Sequence, residues 1–307
     1  MKKFGSYIEL HTHTKESDGK YSCEELIEKA IKNQIGVLSI TDHNHFMGMK
    51  AFYSLQEKYK DRIILIPGME VSVNYVPFRG GVEELHLVVL CKDMDKLQFL
   101  TKRKIDHRAR FEAQREALRA ASVEIPDYDT FLKRYPDTNH VGRKLIGEYM
   151  YETGMTSYPD EGFDKYFGRW GERLAYIDTA KYRSLYKSME ETIREIREAA
   201  GDSLIAIILA HPLYYHFDEA ELNRMMQIFA DAAGPYAAME VYYRRYIRQQ
   251  EKAVTEMLLE RANHYGFLIS CASDFHGQSE EDGLDNEFPM EYWLKIVENA
   301  EKIHNQG

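Results

Sequence analysis

Seven short apolar runs recur along the chain, at Tyr7–Leu10, Val37–Thr41, Ile63–Ile66, Leu85–Cys91, Leu204–Leu209, Ala238–Tyr242 and Phe267–Cys271. Each reads as a strand, and most are followed by apolar residues at helical spacing. Between the first two, Cys23–Asn33 places Leu26, Ile27, Ala30 and Ile31 at that spacing, with Ser22 positioned as N-cap. Helical patterns also follow the fifth run (Asp218–Ala233), the sixth (Ile247–Tyr265) and the seventh (Met290–Ile303). Strand alternating with helix predicts a mainly parallel sheet, closed or distorted into a barrel.

The alternation breaks between about residues 93 and 200. That stretch is rich in Glu, Arg, Lys and Tyr, with helical segments predicted at Lys96–Ala121 and Met189–Ala200 and turns near Pro126, Pro136 and Pro159. The fold class expected is therefore α/β: a distorted seven-stranded barrel from residues 1–92 and 201–307, with a mainly helical cap inserted at 93–200. Insertions on the strand-to-helix side of a barrel often cover its active site.

Composition narrows the partners. The 307 residues carry a formal charge of −10, which argues against tight binding to long duplex nucleic acid. Two basic clusters, Lys102-Arg103-Lys104 through Arg110 and Arg244-Arg245 with Arg248, read as solvated helix faces. No apolar stretch reaches the ~20 residues that span a bilayer, and the first residues lack a signal-peptide core. Cys23, Cys91 and Cys271 are widely separated, which favours reduced thiols and a cytoplasmic setting.

Metal-type residues gather where the strands end. The first run leads into His11-Thr12-His13, whose alternate side chains share one strand face, followed by Ser17-Asp18-Gly19. The second run enters Thr41-Asp42-His43-Asn44-His45, and the third reaches Gly68-Met69-Glu70, where Gly68 permits close approach. His86 lies in the fourth run, Ala210-His211-Pro212 closes the fifth, and Ser273-Asp274-Phe275-His276 closes the seventh. A parallel barrel builds its active site at that face. His140, within Asn139-His140-Val141-Gly142-Arg143, reads from spacing alone as a surface or cap histidine.

The ordered set His-x-His, Ser-Asp-Gly, Thr-Asp-His, Gly-x-Glu, Ala-His-Pro and Ser-Asp-Phe-His resembles the PHP superfamily, named for polymerase and histidinol phosphatase. The likeness spans roughly residues 6–280. It is greatest to the stand-alone bacterial phosphoesterases that act on nucleotides and small phosphate esters. His140-Val141-Gly142-Arg143 is similar to that group's His-x-x-Arg, and Met239-Glu240-Val241-Tyr242 to its Gly-Ile-Glu-Val. The chain departs from the pattern at Asn44, where many members have Asp, at Asn139 before His140, and at Tyr214 and Tyr215.

The resemblance implies two or three divalent ions, and imidazole with carboxylate suits Mn²⁺, Fe²⁺ or Zn²⁺. Carried over by residue, a first ion would take His11, His13, Glu70 and Asp274, and a second Asp18, His43 and His276. A third would take His86 and His140 with Glu70 bridging. A metal-bridging hydroxide would then attack phosphorus. His211 is either a ligand or a phosphate contact and general acid, and the second role is preferred. Arg143 is a fork for the substrate phosphate or a salt-bridge partner of Glu148 or Glu152. Asp42 and Glu240 are expected to support ligands, and Tyr214, Tyr215, Tyr242 and Tyr243 to offer a stacking surface. His45, His107, His216, His264 and His304 are assigned ordinary surface or core roles.

The function expected is hydrolysis of a small phosphate mono- or diester: a nucleotide, a nucleoside bisphosphate or an oligonucleotide 5′ end. The alternatives are a histidinol-phosphate-type phosphatase, C–N hydrolysis of the amidohydrolase type, and a non-catalytic module that only stabilises a polymerase.

Overall fold

The computed structural model describes residues 4–136, 141–158, 161–167, 174–177, 179–215, 217–244, 252–277, 283–284 and 287–306. Its strands are β1 (Tyr7–Glu9), β2 (Ile35–Ile40), β3 (Ile64–Tyr75), β4 (Glu83–Cys91), β5 (Lys104–Ile105), β6 (Arg183–Ser184), β7 (Leu204–Leu209), β8 (Ala237–Tyr243) and β9 (Leu268–Ala272). The helices are α1 (Cys23–Lys32), α2 (Met49–Tyr59), α3 (His107–Ala120), α4 (Tyr128–Arg134), α5 (Arg143–Glu152), α6 (Met189–Ala200), α7 (Glu219–Ala233), α8 (Lys252–Tyr265) and α9 (Glu291–Gln306). Among the described residues, no helix is long and apolar enough to cross a membrane.

Every one of the seven apolar runs becomes a strand of one sheet, in the order β1-β2-β3-β4-β7-β8-β9. Pairing is parallel within β1-β2-β3 and within β7-β8-β9, while β4 runs antiparallel to both β3 and β7. A bridge between Thr12 and Phe275, with the His13 N–H donating to the Phe275 carbonyl at 2.8 Å, brings the two sheet edges together. The barrel is nearly closed. Ser22 caps α1 as expected, in a reciprocal capping box with Glu25.

Strand periodicity separates an inner from an outer core. Val88 and Leu90 of β4, Ile66 of β3, and Ile8 pack with Trp293, Ile296 and Ala300 of α9. Leu85, Leu87 and Val89, on the other face of β4, join the helices α1, α2, α6 and α7 outside. His86 shares the inner face with Val88 and Leu90, and Glu70 is paired to Val88 in the ladder. An apolar floor therefore lies beneath the polar strand positions. At Gly68 an added Cβ would come within 2.5 Å of Ser39 Oγ, so this crossing of β3 over β2 requires glycine.

Three expectations need correction. β3 continues well past Ile66 to Tyr75, which puts Glu70 inside a strand rather than after one. The antiparallel β4 presents His86 near its N-terminal end, which lies at the same rim as the C-terminal ends of its parallel neighbours. The helix expected over Lys96–Ala121 is divided into a 3₁₀ segment (Met94–Lys102), β5, and α3, whose start is capped by Asp106. Buried Arg103 sets that division, donating to the Ser72 carbonyl at 2.6 Å and Thr192 Oγ1 at 2.9 Å.

β5 and β6 pair antiparallel where the chain leaves the barrel and returns to it. Beyond that neck a separate apolar cluster contains Phe111, Leu118, Phe131, Ile146, Met150 and Phe167. Met94, Leu97 and Leu100, and Met189, Ile193 and Ile196 of α6, pack instead in the barrel's outer core. We propose that the cap is the narrower segment 104–184 rather than 93–200, because both flanks bury their apolar faces on the barrel.

Truncating Phe131, fully buried in the cap cluster, should cost about 3–5 kcal/mol of local stability. Hydrogen exchange on Phe131→Ala should quicken in α3, α4 and α5 and leave β2, β4 and β7 protected. Equal loss of protection in the barrel strands would show that cap and barrel form one cooperative unit.

Candidate metal centre

The fully buried Glu70 carboxylate lies at the middle of the rim. Its Oε1 is 3.3 Å from His11 Nε2, 2.9 Å from His86 Nδ1 and 3.3 Å from His211 Nε2. Its Oε2 is 3.3 Å from His13 Nε2 and 2.8 Å from His43 Nδ1. Five imidazoles, from the ends of β1, β2 and β7 and from within β4, thus meet one carboxylate carried by β3. Asp274 Oδ1 closes the far side, 3.2 Å from His13 Nε2 and 3.5 Å from His11 Nε2.

Hydrogen bonds behind the rings turn nitrogen lone pairs toward this centre. Glu240 Oε1 accepts from His11 Nδ1 at 2.7 Å, which aims Nε2 inward. The Ser17 hydroxyl donates to Asp42 Oδ1 at 2.7 Å, so its oxygen accepts from His13 Nδ1 at 3.3 Å. The Asp274 carbonyl accepts from His276 Nδ1 at 2.7 Å, and His276 Nε2 then lies 3.2 Å from Asp18 Oδ1. His11 Nε2 and His13 Nε2 face each other at 3.2 Å. Glu70 Oε2 is buried and accepts no hydrogen bond in good geometry despite its close nitrogens. Imidazole nitrogens and carboxylate oxygens converging on one place are a donor set that fits divalent cations.

Three overlapping groups have ligand atoms within 4.8 Å of one another: His13, Asp18, His43 and His276; His11, His13 and Glu70; and His43, Glu70 and His86. Eight of the nine sequence-derived ligands are therefore together at the rim, with Asp274 beside the second group. His140 lies outside the described residues. His211 reaches Glu70 but enters none of the three groups. Arg143 opens α5 and is half-buried. Glu152, one of its suggested partners, accepts instead from Arg134 at 3.1 Å and Tyr135 at 2.7 Å.

Electrostatics follow the same convergence. Burial opposes ionisation of Glu70, but the nearby His43, His86 and His11 hold its carboxyl well below the usual range. Asp18 is likewise held low against burial by His276 and His43. Burial disfavours the imidazolium of His13, yet bonds to Asp274 and Glu70 raise it to about 10. His86, half-buried, is disfavoured as imidazolium by desolvation but raised to about 10 by Glu70 and Glu84.

The supporting carboxylates are the part that motif reading resolved least. Glu240 bonds both His11 and the His211 N–H, the latter at 2.6 Å, so it ties β8 to the ends of β1 and β7. Glu9 was not singled out at all. It is buried, accepts from the His11 N–H at 3.1 Å and the Ser273 N–H at 3.1 Å, and burial lifts its carboxyl to about 7. An acidic residue in the middle of an apolar strand was the available signal. Asp42 supports as expected, but through Thr14 and Ser17 rather than His43. Tyr243 donates to Asp274 Oδ2 at 3.0 Å, which makes it a strut of the site.

Three non-glycine residues here adopt left-handed backbone: Asn44 at φ 45°, His211 at φ 31° and Asp274 at φ 53°. Such conformations persist only where neighbours over-determine them. Asn44 is held by its N–H on the Glu70 carbonyl at 2.8 Å and by its side chain on Ser72, and asparagine tolerates this region well. His211 is held by Glu240.

Residues 9–211 match the PHP domain family. The 5′-3′ exoribonuclease Rnm of Escherichia coli (strain K12) is 27% identical over 87% of this chain and 84% of its own length. A 3′,5′-nucleoside bisphosphate phosphatase of Chromobacterium violaceum is 24% identical over 89% of this chain and 88% of its own. Among solved structures, a Bifidobacterium adolescentis protein described as a metal-dependent phosphoesterase superposes with a TM-score of 0.67. It covers 96% of both chains at 21% identity.

Divalent ions binding here must displace protons from His13 and His86. Titrating chelator-treated protein with Mn²⁺ should release protons, seen as a calorimetric heat that varies with buffer ionisation enthalpy. Apparent affinity should rise with pH until both rings have lost their protons, near the raised value of about 10. The metal-free fold has the opposite trend. Its raised histidines contribute stability that is complete below about 6.5 and lost as pH climbs through about 10, so its Tm should fall over that window. Buffer-independent heat would contradict the assignment.

Proposed function

This chain belongs to the PHP domain family and is a metal-dependent phosphoesterase, and we propose that it hydrolyses the phosphate ester of a nucleotide, nucleoside bisphosphate or RNA 5′ end. The observation that carries the reading is the convergence of imidazole donors on the buried Glu70 carboxylate. The named activities of the Escherichia coli and Chromobacterium violaceum relatives support the nucleotide class of substrate.

His11, His13, Glu70 and Asp274 would hold one ion, and Asp18, His43 and His276 a second. His86, with Glu70 as bridge, would hold a third, together with His140. When bound, Mn²⁺, Fe²⁺ or Zn²⁺ supply Lewis acidity toward water and phosphoryl oxygens. The chain's own residues supply position and protons. Glu240 keeps His11 in one tautomer and fixes the backbone of His211, so that both rings hold their place during turnover. His211 is assigned the proton for the departing alkoxide, since imidazole titrates in the useful range. Arg143 is assigned to the reacting phosphate, for which a planar guanidinium offers two parallel donors. Tyr214 packs its ring edge-on to His211 at 5.3 Å and offers the base a stacking face.

Purified protein should release phosphate or a mononucleotide from nucleotide esters and lose that activity with chelator. A metal-loaded preparation inert toward every mono- and diester tested would overturn the reading. Substituting Glu240→Gln should lower metal affinity or activity about 10–100-fold, the effect typical of a lost ligand-orienting bond. His211→Gln should slow alkyl phosphate esters by about 10²–10⁴-fold. It should affect p-nitrophenyl phosphate much less, because that leaving group needs no proton. Equal losses on both substrates would make His211 a ligand or phosphate contact instead.

A further inference from the structure

The turn between β3 and β4 holds Val76-Pro77-Phe78-Arg79-Gly80-Gly81 and leaves an aromatic ring uncovered. Phe78 is 72% exposed and Val76 58%. A Cβ added to Gly80 or Gly81 would meet nothing within 4 Å, so the tip stands in open space. Phe78 is nevertheless held in place. Its N–H donates to Glu221 Oε2 of α7 at 2.5 Å, and the Tyr75 hydroxyl donates to Oε1 of the same carboxylate. Arg224 of α7 donates to the Val76 carbonyl and to Glu221, each at 3.0 Å. Its guanidinium lies 4.8 Å from the centre of the Phe78 ring and 5.2 Å from that of Tyr75. A lone exposed apolar residue is ordinary. One pinned through its backbone and backed by a guanidinium presents a fixed flat face.

That face is the far end of an aromatic series that starts at the metal centre. The His211 ring lies 5.3 Å from Tyr214 and 5.6 Å from Tyr215. Tyr215 is 5.9 Å from Phe217, and Phe217 is 5.4 Å from Tyr75. Tyr215 and Tyr75 are buried and back the series, while Tyr214 and Phe217 are half-buried. A second guanidinium stands over it: Arg79 is 6.0 Å from the Phe217 ring centre and donates to Glu83 Oε1 at 2.5 Å. Rings paired with guanidinium planes thus run from His211 to Phe78. Each guanidinium is neutralised by a carboxylate, Glu83 or Glu221, so the strip offers flat faces rather than net charge. Ser72 stands opposite His86 in the ladder, and strand rise puts Tyr75 about 10 Å beyond that level, with Phe78 farther out.

We propose that this strip is a path for single-stranded RNA whose 5′ end lies at the metal centre, with Phe78 stacking on a base beyond the first. Stacking suits such a partner because every base has a π-face, and a guanidinium over a ring adds a cation–π contribution. A protein partner would need a wider apolar patch than Val76 and Phe78 provide. The path deepens, and rests on, the nucleotide reading given above. It selects an RNA 5′ end over a mononucleotide or a nucleoside bisphosphate, both of which end short of the tip.

Binding to the full, metal-loaded protein is measured by calorimetry with nuclease-resistant phosphorothioate oligoadenylates that carry a 5′-phosphonate. A mononucleotide, a dinucleotide and a hexanucleotide serve as probes. The hexanucleotide should bind about 5–100-fold tighter than the dinucleotide, the range for one stacked base. Phe78→Ala should remove that gain and leave the two shorter probes within about twofold of wild type, whereas Phe78→Trp should keep it. Because the ring is exposed, neither substitution should disturb the fold. Raising salt should weaken hexanucleotide binding with the same slope in wild type and Phe78→Ala, since a ring neutralises no phosphate. Equal wild-type affinity for dinucleotide and hexanucleotide, a gain kept by Phe78→Ala, or a shallower salt slope in that variant would overturn the path. So would a loss of self-association in Phe78→Ala with RNA affinity unchanged, which would assign the ring to a second copy of the chain. Chelator-sensitive hydrolysis of p-nitrophenyl phosphate reports separately on the phosphoesterase reading. Activity without length preference would remove the path alone. Length preference without activity would remove that reading and leave the path standing.

Discussion

A fully buried carboxylate demands positive charge around it, and Glu70 imposes that condition on the whole rim of the barrel. Five imidazoles from four strands answer it. Among them His13 and His86 are drawn toward imidazolium, raised to about 10 by the carboxylates beside them. Divalent ions would meet the same demand, with the nitrogens of His11, His13, His43 and His86 as neutral donors. Both states need the same geometry, so the fold must hold the rings whether or not cations are there.

That holding falls to a set of buried hydrogen-bond acceptors behind the rings. Glu9 joins β1 to β9 at the seam where the barrel nearly closes, and Glu240 joins β8 to the ends of β1 and β7. Asp42 braces the Thr14–Ser17 turn, and through Ser17 the ring of His13. Glu240 also holds the His211 backbone in its left-handed conformation, and Tyr243 holds the carboxylate of Asp274, which shares that conformation. Packing below contributes the rest: Val88, Leu90 and Ile66, closed by Trp293 and Ile296, form a dry floor on which the polar layer rests.

The cap is attached through charge as much as through apolar contact. Residues 102–110 read as a solvated basic face in the sequence, yet Arg103 is buried against Ser72 and Thr192. A run of positive residues gives no hint of this, because the groups that accept from Arg103 lie 31 positions earlier in β3 and 89 positions later in α6. Helical periodicity continues through Met94–Leu100 and α6, and packing puts their apolar residues in the outer core of the barrel.

The number and chain order of the barrel strands, the Ser22 cap of α1 and the gathering of metal-type residues at strand ends were legible from residue pattern. Each depends on local physics: apolar runs, helix-end hydrogen bonding, and the residue types that follow each run. The sequence by itself therefore determined which donor types reach the rim. Tertiary structure decided how they are joined. The reversal of β4, which brings His86 to the rim, depends on hydrogen bonding to β3 and β7. The roles of Glu9 and Glu240, and the inward turn of Arg103, depend on burial, which makes an unpaired charge costly and so selects partners from anywhere in the chain.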